Sequence, residues 1–302
     1  MSKKALSGLM IGLIVGAFTW VYAMEEEPKE IVREEVDKST PAPEQKEEEK
    51  KSPLWGISAE KIKVEKIVQL TTDGGVESIQ FSPDGKKIVI SGRGETWIMD
   101  ADGKNKGTLS KNALPNWIGK QVSGSPLYSL SSPDGTKIIE LSHDKSHKYW
   151  EASPYRLGKI KNLTTGKEII FPTKMYSSMI QWSPDGQKIY YNAPGAYSYI
   201  IDVNGTILTR FYHDGEFVWA PDSIKVAYSD MEIEGDLGDL VGSEIYVMNA
   251  KGTGKIQLTK TPGKTGIEVS PVWSPDASKI LYRREYDGNY FVLILGVKEV
   301  EE

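Results

Sequence analysis

Five copies of one turn phrase, strands that are apolar on both faces, and a last repeat one strand short together predict an all-β fold. The expected architecture is a five-bladed β-propeller of four-stranded antiparallel blades. It is closed by an N-terminal strand and preceded by a hydrophobic helix and a disordered linker.

The turn phrase is Ser82-Pro83-Asp84-Gly85. It returns as Ser132-Pro133-Asp134-Gly135, Ser183-Pro184-Asp185-Gly186, Ala220-Pro221-Asp222-Ser223 and Ser274-Pro275-Asp276-Ala277. Proline pre-sets φ at the first corner of a type I turn, aspartate bonds nearby backbone, and glycine takes a left-handed exit without a Cβ penalty. Three residues after each aspartate stands a lysine (Lys87, Lys137, Lys188, Lys225, Lys279), followed by isoleucine or valine. Three residues before it stands Phe81, Trp182, Trp219 or Trp273; the second copy has Ser131 there. A catalytic carboxylate is needed once or twice per site, whereas an element present in every repeat serves what every repeat needs, which is to fold. The motif aspartates are therefore structural. Ser223 and Ala277 stand where glycine is expected, at a cost of roughly 1 kcal/mol each if the left-handed conformation is kept.

A second signal follows each turn: a strand, Asp or Asn, a few residues, then Gly. Examples run Trp97 to Gly103, Ile200 to Gly205, Tyr246 to Gly252 and, in a longer form, Asn162 to Gly166. Each repeat thus holds strands A to D, with the Ser-Pro-Asp-Gly phrase joining A to B and the Asp/Asn-to-Gly turn joining C to D. The B strands, such as Ile189-Tyr190-Tyr191 and Ile280-Leu281-Tyr282, are apolar on both faces, so each sheet must lie between two others. Radial stacking of blades supplies those neighbours. The last repeat ends at Tyr290 to Ile294 without a D strand, and Lys66 to Thr71 resembles the D strand Ile256 to Thr259. That N-terminal strand is expected to complete the last blade and remove exposed sheet edges. Six blades would need a repeat without the turn motif.

The phrase, its lysine and apolar pair, and "IYVMNAKGTGKIQLT" resemble the propeller repeats of the TolB family over about residues 62 to 298. The resemblance implies an extracytoplasmic propeller of protein-binding type. The family's namesake is a periplasmic component of the Tol-Pal envelope system with an additional α/β domain before a six-bladed propeller. The stretch before the repeats is too short for that domain.

Residues 1–23 place Lys3-Lys4 before an uncharged stretch, and Val21-Tyr22-Ala23 fits a small-residue cleavage pattern. A signal peptide cut after Ala23 is the first expectation and an uncleaved anchor the second, since roughly 20 apolar residues span a bilayer. Either form leaves the basic side in the cytoplasm and sends the rest out. The membrane is touched only through this segment. Residues 24–60 read as an acidic disordered linker, and 61–302 as the propeller. Residues 24 to 53 carry 11 acidic and 6 basic groups, a net of −5 that equals the net of the whole chain. Setting aside the two lysines of the leader, the propeller is left near −2, which lacks the basic footprint of nucleic-acid binding. The chain has no cysteine, hence no lipobox, disulfide or thiolate metal site.

No cofactor is expected. "PGKTG" at 262–266 lacks the first glycine of a phosphate loop, since position 258 is Leu258. His143 and His147 have a ligand spacing but no specified third partner. Asp230, Glu232 and Glu234 match the opening of a calcium loop whose twelfth position is Val241 instead of glutamate. Binding residues concentrate on variable loops carried by a rigid scaffold, here the B–C and D–A connections, which are expected to differ in every blade. The candidates are Arg93, Trp117, Tyr149, Trp150, Tyr197, Tyr212, His213, Arg283, Arg284 and Tyr286, with Tyr155 and Tyr176 beside them. Such aromatics and cations suit protein interfaces and carbohydrate stacking alike. The expected role is a non-enzymatic, monomeric cell-envelope protein that binds a protein, peptide or glycan. The alternative is a carbohydrate-active enzyme using paired carboxylates, with Glu95, Glu151, Asp230 and Asp287 as possible members.

Overall fold

A computed structural model describes residues 57–72, 74–110, 114–116, 130–143, 155–176, 180–195, 197–212, 215–234, 239–261 and 266–300, with backbone alone at 232–234, 239–241 and 299. The leader, the linker up to residue 56, Trp117, His147, Tyr149, Trp150, Glu151, His213 and residues 262–265 lie outside the described residues. Every described residue falls in the unit formed by residues 49–302.

The turn phrase folds by local hydrogen bonding. The Ser82 hydroxyl donates to Asp84 Oδ1 at 2.6 Å, the same carboxylate oxygen accepts the Lys86 N–H, and Ser82 Oγ accepts the Lys87 N–H at 2.8 Å. The pattern repeats at Asp134, Asp185 and Asp276. The exit residue has a left-handed φ in all five copies: 68° at Gly85, 67° at Gly135, 63° at Gly186, 60° at Ser223 and 57° at Ala277. The two non-glycine positions thus keep the left-handed conformation that favours glycine. In every repeat one further bond ties this turn to the C strand or the turn after it, from Ala101 N–H to Lys86 O in the first and Ala250 N–H to Ile224 O in the fourth.

Strand β1 (Ile62–Gln69) follows a short 3-10 turn, Ala59–Lys61. Module 1 is β2 (Ser78–Phe81), β3 (Lys87–Gly92), β4 (Glu95–Asp100) and β5 (Gly107–Leu109). Module 2 is β6 (Lys137–His143), β7 (Tyr155–Asn162), β8 (Glu168–Ile170) and β9 (Met175–Tyr176), and its A strand is reduced to one bridge, Ser131 to Ile138. Module 3 is β10 (Ile180–Trp182), β11 (Lys188–Ala193), β12 (Tyr197–Asp202) and β13 (Ile207–Tyr212). Module 4 is β14 (Phe217–Trp219), β15 (Lys225–Glu234), β16 (Asp239–Asn249) and β17 (Ile256–Gln257). Module 5 is β18 (Ile267–Trp273), β19 (Lys279–Tyr286) and β20 (Asn289–Glu299), completed by β1. The described residues are therefore all-β, built from successive four-stranded antiparallel sheets, and among them a single parallel bridge, Ser243 to Ile267, joins modules 4 and 5.

The first and last strands pair as the sequence predicts. Ile62 lies opposite Glu299 and Val68 opposite Ile294, with a bulge between Val64 and Lys66. The approach to β1 is clamped to module 4: Asn249 Oδ1 accepts the Ala59 N–H at 2.7 Å, Asn249 Nδ2 donates to Glu60, and Lys225 Nζ donates to Ile57 O at 2.9 Å. Lys225 is fully buried and ion-paired with Asp222.

The double-faced apolarity of the B strands has a simple order. Ile88, Ile189, Val226 and Ile280, each directly after the motif lysine, pack with the module before them. The next residues, Ile139, Tyr190, Ala227 and Leu281, pack with the module after them. Alternation along a strand sends neighbouring side chains to opposite faces, so one dipeptide serves two interfaces. Phe81, Trp182, Trp219 and Trp273 are fully buried and reinforce the backward contact. Hydrophobic clusters accordingly join modules 2 and 3, 3 and 4, 4 and 5, and, through Leu281, Val292 and Phe81, module 5 to module 1.

Candidate binding face

The two ends of the sheets differ in chemistry. At one end lie the A–B and C–D turns, whose side chains are consumed by turn bonding. Asp202 Oδ1 accepts the N–H groups of Asn204 and Thr206, and Asn162 Oδ1 those of Thr164 and Thr165. At the other end lie the B–C and D–A connections.

These connections are not different in every module. Those of modules 1 and 5 are both two-residue hairpins, Arg93-Gly94 with φ 52° and 77°, and Asp287-Gly288 with φ 50° and 69°. Positive φ at both central residues matches the right-handed twist of the flanking strands. Arg93 and Asp287 are therefore turn residues first. In module 4 the strands themselves are long: β15 and β16 run 10 and 11 residues, against 6 for each of β11 and β12. Asp230, Glu232 and Glu234 stand along β15 instead of opening a loop, and Asp230 is bound to Lys255 at 2.8 Å.

The structure divides the remaining candidates by role. Arg283 lies on β19, bonds Ser270 Oγ through Nε at 3.0 Å, reaches Glu77 O of module 1 at 3.2 Å, and sits 4.9 Å from the Tyr290 ring. Its partner Ser270 has a left-handed φ of 56° in the β18 bulge. Arg284 faces the other way and bonds Glu268 Oε1 through Nε at 2.6 Å. Both arginines are struts between strands. Glu268 is fully buried, and burial pushes its carboxyl above the usual range while Arg284 opposes the shift. Glu244 adds like charge nearby, with its own oxygens accepting from the Thr259 hydroxyl and the Thr261 N–H. Both acids draw on Thr261, whose N–H donates to Glu244 and whose hydroxyl donates to Glu268, and the pair stands on β16 of module 4 and β18 of module 5. Burial, followed by the charge of Glu268, raises the Tyr282 hydroxyl as well. Among the described residues no three Asp, Glu or His side chains gather in a metal-binding group.

Tyr197 and Tyr212 face each other across β12 and β13, with rings edge to face at 6.1 Å, and the Arg210 guanidinium lies 3.8 Å from the Tyr197 ring. Tyr212 is 61% exposed and Tyr286, at the end of β19, 55%. Sequence reasoning missed Arg210, although its i, i+2 spacing from Tyr212 on β13 places both on one face. Tyr155 and Tyr176 meet at 5.2 Å in module 2. Arg210, Tyr197 and Tyr212 form an aromatic and cationic cluster on module 3 suited to stacking and hydrogen bonding, and Tyr286 is exposed at the end of β19 on module 5.

No family model and no curated protein matches the chain. Solved structures similar to it include the tricorn protease, at 14% identity and TM-score 0.38, with 73% of this chain and 20% of that chain covered. A protein assigned as TolB from Agrobacterium tumefaciens is similar at 15% identity and TM-score 0.34, over 78% of this chain and 97% of that one. A eukaryotic initiation factor is similar at 15% and 0.37, over 72% and 53%. The chain spans a small part of the first of these and about half of the last.

Proposed function

We propose that the five modules are the blades of a TolB-like β-propeller, closed by β1, that works outside the cytoplasm as a non-enzymatic binding or scaffold protein. Its partner is a protein, peptide or glycan of the cell envelope, held on the face of the B–C and D–A connections. The N-terminal segment, read as a leader or anchor, supports the location. The asymmetry between the two ends of the sheets carries the binding face: turn bonding occupies one end, while the other presents Tyr212 beside Arg210 and Tyr197 on module 3, and Tyr286 on module 5. Buried aromatic and arginine anchors dominate interface energetics, with about 2 kcal/mol or more lost on truncation of a hot spot.

The test is crosslinked capture from envelope fractions with the full chain. Three forms are compared: the unmodified protein, Tyr212→Ala with Tyr286→Ala, and Asp102→Ala with Lys104→Ala on the turn end. A partner recovered by the first and third and reduced about tenfold or more with the second supports the reading. Equal recovery by all three removes the binding-face assignment.

A further inference from the structure

The fourth copy of the turn phrase departs from the others. In those four the first residue is a serine whose hydroxyl donates to the motif aspartate, at 2.5 or 2.6 Å. Here Ala220 stands in that place, and the Asp222 carboxylate is held by the backbone N–H groups of Ile224 and Lys225 and by the Lys225 ammonium. The side chains of Lys225 and Asp222 are 1% and 2% exposed, whereas the equivalent Lys87, Lys137 and Lys188 keep 47%, 15% and 20%. A buried ion pair is costly unless further hydrogen bonds satisfy it. Lys225 finds one outside its own module, donating to Ile57 O at 2.9 Å.

The next turn of module 4 departs in the same direction. Asn249 ends β16 as Asn162 ends β7 and Asp202 ends β12. Asn162 and Asp202 use Oδ1 to accept N–H groups of their own turns. Asn249 Oδ1 accepts the Ala59 N–H at 2.7 Å instead, and its Nδ2 donates to Glu60 at 2.8 Å and to the Thr253 hydroxyl at 3.0 Å. The Ala59 methyl group is fully buried in one cluster with Ala220 and Ile62, and Ile57 packs against the same cluster. Gly254 lies against Glu60: a Cβ there would come within 2.1 Å of the Glu60 carboxylate and 3.1 Å of its nitrogen. Alanine at 220, an outward-turned asparagine at 249 and glycine at 254 thus shape one cleft around four residues of extended chain.

We propose that the turn end of module 4 is a peptide-recognition site for the pattern apolar–any–small–acidic, covered in this chain by its own Ile57–Glu60 as a releasable latch. Lys225 reads the carbonyl of the apolar residue, Asn249 Oδ1 the N–H of the small one, and Asn249 Nδ2 the acid. Main-chain bonds of this kind supply affinity, and a pocket sized for a methyl group supplies selectivity. The latch opens without loss of the closing strand, because its bonds go to module 4 while β1 pairs with β20. Tethered beside the site, the segment has an effective concentration on the order of millimolar, so a separate peptide enters only when the latch is displaced.

The probe is a synthetic peptide spanning Ile57 to Lys61, and the reporter is the Gly254 backbone amide of the full chain, followed by NMR. Ala59→Lys with Glu60→Lys displaces the latch, since neither the buried methyl site nor Asn249 Nδ2 accepts an ammonium group. Titration of this variant with the peptide is expected to return the Gly254 signal to its position in the unmodified protein. The same peptide carrying Ala59→Lys should leave the signal in place, and so should the original peptide once Asn249→Ala is added to the variant. In the unmodified chain the Ala59 amide should exchange about tenfold or more faster than the amides of β19, at a rate unchanged by low urea. That measurement needs no variant, so it decides the matter if the displaced form folds poorly. A Gly254 signal that ignores the peptide in a folded variant, equal shifts with both peptides, or an Ala59 amide that exchanges only with β19 would each overturn the inference.

Discussion

At the scale of single residues, the motif aspartates behave as parts of turns with a consequence for pH. The Ser82 hydroxyl and the Lys86 N–H hold Asp84 below the usual carboxylate range, and the Ser132 hydroxyl with the Thr136 N–H holds Asp134 further below it. At Asp185 and Asp276 burial pushes the carboxyl up, but the same serine and backbone bonds outweigh it and the net direction is down. A carboxyl lowered by folding contributes stability above its unfolded value, about 4, and loses it as pH falls through the folded value. These four carboxyls should therefore leave the urea midpoint unchanged from pH 7 to about pH 5 and lower it steeply below about pH 4, whereas Glu268, raised by burial, acts in the opposite direction as it takes up a proton. Asp134→Asn should cost about 1 to 2 kcal/mol at pH 7 and flatten the acid loss, as seen in urea titrations at several pH values. The two non-glycine turn exits separate a strain effect from a contact. Ser223 Oγ accepts the Asp185 N–H of the neighbouring module at 2.9 Å, whereas Ala277 offers only its methyl group. Both glycine substitutions relieve the left-handed strain, so Ser223→Gly should come out about 1 kcal/mol less favourable than Ala277→Gly in equilibrium unfolding.

At the scale of elements, closure depends on β1. Ile62 is buried against modules 4 and 5, and the outer edge of β1 carries Lys63, Glu65 and Lys66 with a bulge, which blunts further strand pairing. Ile62→Asp should cost more than about 3 kcal/mol and Lys66→Ala less than about 0.5 kcal/mol, read from denaturant midpoints. Element order, the five turns and the closing strand were legible because each is written in local sequence: a turn phrase, an apolar alternation, and a last repeat lacking one strand. The interface order was also latent there, since the dipeptide after each lysine must face two modules. The struts were not legible. Arg283 and Arg284 look like loop cations until Ser270, Glu77 and Glu268 are brought beside them by pairing that no local pattern specifies. The buried state of Lys225 escaped for the same reason, since its partner carbonyl belongs to Ile57, far away in sequence. The hairpin at Asp287-Gly288 was readable, because Asp-Gly between strands is a strong two-residue turn signal. Grouping Tyr286 and its neighbours by composition alone obscured it.

At the scale of the whole molecule, the apolar interfaces between modules determine how the structure comes apart. Trp182, Trp219 and Trp273 are buried at the interfaces of modules 2 with 3, 3 with 4 and 4 with 5, and each cluster shares a module with the next. Loss of any one interface therefore exposes a face that its neighbour needs, which couples modules 2 to 5 and, through β1 and the cluster of Leu281 and Phe81, module 1. Repeat arrays in which each unit contacts only its neighbours gain stability from interface terms. Hydrogen exchange in rising urea should then show the amides of β11, β15 and β19 merging onto one unfolding isotherm, as expected for a cooperative unit. Trp219→Ala, which opens a cavity between modules 3 and 4, should lower that shared isotherm by about 3 to 5 kcal/mol at all three strands together. Weakening confined to β11 and β15, with β19 unchanged, would mean that the modules unfold one by one and that strand closure adds no cooperativity.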